Sequence, residues 1–273
     1  MAFRDLQELV WEKELTFYRD LDRIDATVRV DFRGLNTELL IGFPLQLDLE
    51  TARALYDVPF AAVERRPYFE VQSDSPEAEG APVELAKLGG TGHYPALDWV
   101  AYGDDEWGMV LANQGTPAHR LMNGDIEVIV LRSPTMIDSG FHPPVGAHDN
   151  GRHEFRFALQ PYEGEVFASG AYRLGQMLNA PPLISEGAAR EAGSVLQLEA
   201  AGVVLSCLKP AERGKGIIIR TYEARGEKAR GSITLAGNAG EACETDLMEQ
   251  PGKAVNLKRL TWRPYEVKTL LVR

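Results

Sequence analysis

The chain of 273 residues carries 29 Lys and Arg against 40 Asp and Glu, a formal net charge of −11, and 44% of its residues are hydrophobic. That length suits one large all-β domain or two smaller ones, with enough apolar residues for a core of useful size. The acidic balance excludes a nucleic-acid partner, which needs a basic face to meet phosphates, and an anionic membrane surface; it suits a soluble protein with neutral ligands such as sugars.

The opening segment, Met1 to Leu15, carries charges throughout and has no apolar stretch of signal-peptide length. No run of about 18 apolar residues follows, so no membrane-spanning helix is expected and the cytoplasm is the expected compartment. Ile24, Ala26, Val28, Val30 and Phe32 alternate with Asp25, Thr27, Arg29, Asp31 and Arg33, the period of two that a half-buried strand requires, and Gly34 ends the run. Glu38 to Phe43 reads as the next strand, and Leu45, Leu47 and Leu49 continue the alternation against Gln46, Asp48 and Glu50. Residues 73–95, rich in Pro, Gly and acids, read as a long loop. Asp98 to Tyr102 and Trp107 to Ala112 read as neighbouring strands joined by a hairpin turn at Gly103 to Glu106. Asn123-Gly124 predicts a tight hairpin turn, because both positions tolerate positive φ, and it leads into Ile126, Val128 and Val130 at period two.

Residues 133–152 form a second irregular stretch, followed by Phe155, Phe157 and Leu159 at strand spacing. Val166 to Asn179 is the good helix candidate, with Phe167, Ala171, Leu174 and Leu178 at spacings of three and four and Pro181-Pro182 as its stop. Residues 183–194 read as a linker. Beyond it Leu196 and Leu198, Val203 to Leu205, Gly216 to Tyr222, Ser232 to Leu235 and Val267 to Val272 read as strands. The chain is therefore mostly β, with a first domain over 1–194 and a second over 195–273.

The segment HDNGRHEF holds His148, Asp149, Arg152, His153 and Glu154. Its histidines, five apart, match no zinc signature. Asp149 and Arg152 carry planar hydrogen-bonding groups suited to sugar hydroxyls or to a domain interface. Asp98, Asp104, Asp105, Glu106 and Asp149 supply carboxylates for glycoside chemistry, but nothing in the sequence separates a catalytic pair from solvated surface charge. Cys207 and Cys243 are too few for a disulfide framework and read as buried thiols. No G-x-S-x-G elbow, dinucleotide fingerprint or Walker loop occurs, and Glu212 to Gly216 reads as a turn. Trp99, Trp107 and Trp262 lie in or beside strands, where core packing is expected. By themselves these residues give a β-protein with no assembled active site.

Several segments, in this order, resemble the C-terminal part of glycoside hydrolase family 38 α-mannosidases. They are Arg19-Asp20-Leu21-Asp22-Arg23-Ile24-Asp25, Gly42-Phe43-Pro44-Leu45, Val130-Leu131-Arg132-Ser133-Pro134, Asp149-Asn150-Gly151-Arg152-His153-Glu154-Phe155, Lys209-Pro210-Ala211-Glu212 with Ile217 to Tyr222, and Pro264 to Leu271. Ala158-Leu159-Gln160-Pro161-Tyr162 resembles a further segment of the family, and there Tyr162 departs from the pattern, standing where the family often has His. The resemblance implies a galactose-mutarotase-like supersandwich followed by a small β-sandwich. It also implies that the nucleophilic Asp and most or all of the zinc ligands of this retaining hydrolase lie on an N-terminal catalytic barrel. None of His93, His119, His142, His148 and His153 begins the H-x-D triplet of that zinc site. The chain is thus expected to hold no catalytic residue and no metal or other cofactor. It is expected to pack on the barrel as its partner and to meet mannoside only through the parent enzyme. Asp149, Arg152 and His153 are the candidates for the sugar cleft or the domain interface. A free-standing carbohydrate-binding module, or a mutarotase-like epimerase using His148 or His153, are the competing expectations.

Overall fold

A computed structural model describes residues 6–65, 93–134, 148–184, 186–187, 193–237 and 240–273. Most of the loop expected over 73–95, much of the stretch 133–152 and part of the linker 183–194 lie outside the described residues. The mostly β class is borne out. The chain divides into two compact units, Met1–Asp57 with Glu64–Pro181, and Val58–Val63 with Pro182–Arg273.

The first unit is built from β1 (Leu6–Phe17), β2 (Ile24–Gly34), β3 (Thr37–Pro44), β4 (Arg53–Val58), β6 (His93–Pro95), β7 (Trp99–Gly103), β8 (Trp107–Asn113), β9 (Ala118–Met122), β10 (Asp125–Ser133) and β11 (Gly151–Glu163), and the division between the units falls within β5 (Ala61–Arg65). A seven-stranded sheet runs in the order β1-β2-β11-β8-β7-β4-β5 and a four-stranded sheet in the order β3-β10-β9-β6. Ala26, Val28, Val30 and Phe32 of β2 are buried, as their alternation requires, and so are Val110 and Leu111 of β8, Ile126 and Val128 of β10, and Phe157 of β11. Phe43 meets Phe157 edge-on, ring centroids 5.8 Å apart. The Asn123-Gly124 turn has φ of 51° and 90°, the pair of positive values that a two-residue hairpin needs. The Gly103–Glu106 turn is tied by the Asp104 carboxylate, which accepts from the backbone N–H of Glu106 (2.9 Å) and Trp107 (3.0 Å).

Two expectations are corrected. Leu45 to Glu50 alternates but is not a strand: Pro44, paired with Asp125, is the last rung of its ladder. The chain then turns at Asp48, whose carboxylate and carbonyl accept from Glu50 N–H (3.1 Å) and Thr51 N–H (3.2 Å). Val166 to Asn179 is not one helix. It is a turn of helix Val166–Ser169, a 3-10 turn Ala171–Arg173 and a helix Leu174–Asn179, broken where Gly170 adopts φ 79°. The expected inward residues Phe167, Ala171 and Leu174 are nonetheless buried.

The second unit holds a three-stranded sheet, β12 (Leu196–Glu199), β15 (Ala229–Leu235) and β18 (Leu260–Trp262), and a five-stranded one. The latter runs in the order β13 (Val203–Pro210), β14 (Ile217–Glu223), β19 (Val267–Val272), β16 (Ala242–Thr245) and β17 (Pro251–Ala254). Trp262, Ile219, Ile233, Leu270 and Val203 form the core between them. The Trp262 indole N–H donates to Thr221 Oγ1 at 3.0 Å, so burying the ring leaves no unpaired donor. The buried Glu223 carboxylate accepts four backbone N–H groups, from Arg225 (2.9 Å), Gly226 (2.8 Å), Glu227 (3.1 Å) and Tyr265 (3.1 Å), and so ties two turns to the end of β14. Cys207 and Cys243 are free and only half-buried, against the expectation of buried thiols. Each sits at a register shift of its strand, where the regular alternation of buried and exposed faces is interrupted.

Replacing Glu223 with Gln presents an amide N–H₂ to a cluster of N–H donors, and we expect a loss of roughly 2–4 kcal/mol in urea denaturation. Two buried groups of the first unit predict a pH dependence. Burial pushes the Asp57 carboxyl up to about 7 and the His119 imidazole down to about 4. The contribution of Asp57 is full below about pH 4 and lost as pH rises through 7, whereas that of His119 is full above about pH 6.5 and lost as pH falls through 4. The two slopes oppose one another across the same window. Relative to the parent chain, Asp57→Asn gains stability as pH rises from 4 to 7, on the order of 3 kcal/mol, and His119→Asn loses a similar amount. Packing costs of either change are independent of pH, so parallel stability–pH curves for parent and variants would refute the assignment.

Candidate functional site at the start of β11

The segment His148–Asn150 leads into β11, and its position is set by the ends of two other strands. The Asn150 side-chain oxygen accepts from Gly34 N–H at 2.8 Å, and Gly34 C=O accepts from the buried Ser133 hydroxyl at 2.8 Å. β11 then pairs antiparallel with β2 in the register Gly151↔Phe32, Arg152↔Asp31, His153↔Val30 and Glu154↔Arg29. Successive side chains of a strand point to opposite faces, so Arg152 and Glu154 share one face and His153 and Phe155 the other.

On the first face Arg152 Nε donates to Asp31 at 3.0 Å, but its side chain is 90% exposed, so this pair is worth little to stability. Arg29 lies between Glu154 (3.0 Å) and Glu14 (3.1 Å), and Arg156 also meets Glu154 at 2.7 Å. Hydrogen bonds from Arg156 and Arg29 hold the Glu154 carboxyl below the usual range, so it stays ionised. On the second face the His153 ring stacks on Phe155, centroids 6.0 Å apart. His153 Nε2 lies 2.8 Å from the Asp149 carbonyl oxygen, and because a carbonyl only accepts, Nε2 carries the proton of that bond.

The three expected residues are therefore only partly brought together. Asp149 and His153 meet, but through the backbone of Asp149; Arg152 projects from the opposite face. The exposed Asp149 carboxylate and Arg152 guanidinium are available to hydroxyl groups, while the Nε2 of His153 is already engaged. Among the described residues no group of three His, Cys, Asp or Glu side chains is placed to hold a metal ion.

The other candidates resolve as follows. Asp104 is held below the usual range by backbone N–H groups, Trp107 first, and serves its turn. Asp98 is raised by burial, and beside it stands the group that the sequence reading missed: the Asp57 carboxylate accepts from Asp98 N–H at 3.1 Å. Forty residues of intervening chain hid that proximity. Asn179 Nδ2 bonds Asp98 Oδ1 at 3.3 Å and Asn113 C=O at 2.9 Å, which makes the cluster a brace between β4, the start of β7, β8 and the helix Leu174–Asn179. Trp99 and Trp262 are buried in cores and Trp107 is half-buried. The exposed tryptophan is Trp11, which the sequence reading left without a role.

With this geometry in place, comparison with known proteins is specific. Residues 5–140 match the family model described as glycosyl hydrolases family 38 C-terminal domain. Residues 202–270 match the one described as glycosyl hydrolases family 38 C-terminal beta sandwich domain. Alpha-mannosidase 2C1 of Homo sapiens is 25% identical over 246 residues, covering 86% of this chain and 21% of that protein. A putative mannosylglycerate hydrolase of Halalkalibacterium halodurans is 24% identical over 179 residues, 63% of this chain and 20% of that protein. The crystal structure of an alpha-mannosidase from Enterococcus faecalis V583 superposes with a TM-score of 0.75 at 16% identity, covering 96% of this chain and 29% of that one, which establishes the shared fold. The chain thus spans about a fifth of the length of the curated relatives it matches. Matched in order by both C-terminal family models, the chain belongs to glycosyl hydrolase family 38, as a C-terminal region of its α-mannosidases.

Proposed function

We propose that this chain is the non-catalytic β-region of a retaining, zinc-dependent α-mannosidase, packed on a catalytic barrel and lining its sugar cleft with Asp149 and Arg152. The observation that carries the reading is the match of residues 5–140 and 202–270 to two C-terminal family models in a chain a fifth of the relatives' length. The geometry is in keeping with it, since the candidate residues do not converge on one point. In a retaining glycosidase one carboxylate forms the glycosyl-enzyme intermediate and a second acts as acid and then base; zinc in the catalytic part supplies a Lewis acid for sugar hydroxyls. The residues of this chain take another task. The Asp149 carboxylate accepts from a sugar hydroxyl, Arg152 donates to one, and the Asn150–Gly34–Ser133 bonds keep both at the cleft's rim.

The purified chain is expected to hydrolyse neither p-nitrophenyl α-mannoside nor mannosylglycerate, with or without zinc, and co-expression with a family 38 catalytic part is expected to restore turnover. Zinc-dependent turnover by the chain alone would overturn the reading. In the restored enzyme, Asp149→Ala combined with Arg152→Ala should lower kcat/KM by about tenfold, chiefly through KM, because contacts to an unreacting hydroxyl act on binding. Unchanged kinetics would remove these two residues from the cleft.

A further inference from the structure

The exposed large apolar side chains of the first unit concentrate on one strand. In β1, Val10 is 60%, Trp11 64%, Leu15 45% and Phe17 68% exposed. β1 is also the edge of the seven-stranded sheet among the described residues, so one side of a 12-residue strand has no ladder partner there. Register with β2 sorts its side chains. Leu9, Trp11, Leu15 and Phe17 lie opposite Phe32, Val30, Ala26 and Ile24, on the core-facing side of the sheet. Lys13 stands among them, opposite Val28, with its ammonium 5.6 Å from the Phe43 ring centroid. Beyond them an open groove of about 270 Å³ is lined by Leu9, Trp11, Lys13, Val28, Val30 and Leu39, among others. A long edge, free among the described residues, with an uncovered face that is apolar except for Lys13, is a template for another strand.

The opposite face says which strand. Across the sheet, charges alternate in sign from strand to strand: Arg152 of β11 meets Asp31 of β2, and Glu154 of β11 meets Arg29 of β2. Arg29 in turn faces Glu12 (3.6 Å) and Glu14 (3.1 Å) of β1, and Arg33 faces Glu8 (3.9 Å). The charged residues of the outermost column, Glu8, Glu12 and Glu14, are thus all acidic, with two carboxylates sharing one guanidinium, while Val10 and Thr16 stand between and beyond them. Continuing the pattern requires basic residues in the next strand, because opposite charges across a pair stabilise and like charges do the reverse. A second copy of β1 fails that requirement, since antiparallel self-pairing sets Glu8 against Glu14 or Glu12 against Glu12.

We propose that the free edge of β1 takes up an extended segment alternating basic and apolar residues, supplied by the part of the α-mannosidase that this chain, a fifth of its relatives' length, does not contain. The proposal rests on the reading of the chain as a region of a larger enzyme, and names where and how the rest attaches.

The test uses the 273-residue chain and an 11-residue peptide alternating lysine with valine. Trp11 is the reporter, identified by loss of the signal in Trp11→Phe. The expected result is a saturable blue shift of Trp11 emission at submillimolar peptide. N-methylation of every second residue, or glutamate in place of lysine, should weaken binding at least about tenfold, the latter difference shrinking with salt. No blue shift, equal binding of the N-methylated peptide or equal binding of the acidic one would each overturn strand addition at this edge. So would concentration-dependent dimerisation of the chain that Trp11→Asp abolishes. A separate arm keeps the two readings apart: in co-expression with a catalytic part, Glu12→Lys with Glu14→Lys should cut recovered activity severalfold. Full recovery in that variant sinks the edge proposal while leaving the accessory-region reading intact; peptide binding without any recovery in the parent does the reverse.

Discussion

The antiparallel pairing of β2 with β11 governs the first unit. Nine consecutive pairs, from Gly151↔Phe32 to Leu159↔Ile24, bring together two segments more than a hundred residues apart. Because strand side chains alternate, this one register places Val28, Val30, Phe155 and Phe157 on the core face and Arg29, Asp31, Arg152 and Glu154 on the other. A slip of one residue would exchange the two sets, burying an array of charges and exposing an apolar stripe, at a cost the domain cannot meet. The ion pairs across the outer face are consequences of that register and contribute little to its free energy, being exposed. They matter for partner choice.

The same parity explains why the adjacent residues Arg152 and His153 do not form a joint site. Neighbours on a strand are about as far apart in direction as two side chains can be, and only a loop or a bulge would turn them toward one point. Asp149 does lie in a loop, and it reaches His153 across four residues, but with its carbonyl. That contact orients the imidazole and leaves the carboxylate outward. Sequence proximity of polar groups in HDNGRHEF overstated their convergence because the strand begins at Gly151, inside the motif.

How legible each element was follows from how many of its faces are decided by burial. β2, β7, β8 and β10 could be read directly, since one face or both are buried and the apolar pattern is complete. The Asn123-Gly124 turn was legible because few other dipeptides adopt two positive φ values at low cost. β1 is not legible as a strand, although Leu9, Trp11, Leu15 and Phe17 alternate with Glu8, Glu12 and Glu14; Lys13 interrupts the apolar series, and among the described residues no strand pairs with its outer edge. Leu45 to Glu50 misled in the opposite direction, showing that alternation permits a strand but only a partner's ladder makes one. The helix was legible in its inward residues and not in its continuity, since the left-handed Gly170 breaks the backbone hydrogen bonding while keeping the same side chains inside. Asp57 was invisible as a partner of Asp98 because their contact depends on β4 pairing with β7.

Charge placement separates the two units' uses of carboxylates. In the second unit Glu223 is buried, and four backbone donors replace its water shell, so its charge holds turns in place and is closed to any partner. In the first unit the acids of β1 stay in water, where each pair is weak but the column is not neutralised, because β2 offers Arg29 and Arg33 against Glu8, Glu12 and Glu14. An edge built this way repels a copy of itself, which is how a free strand edge avoids pairing with its own kind. It does so without giving up the apolar face that a complementary strand would bury. The repulsion and the apolar stripe are thus two halves of one specification, separated onto opposite faces of β1 by the period of two that organises the whole sheet.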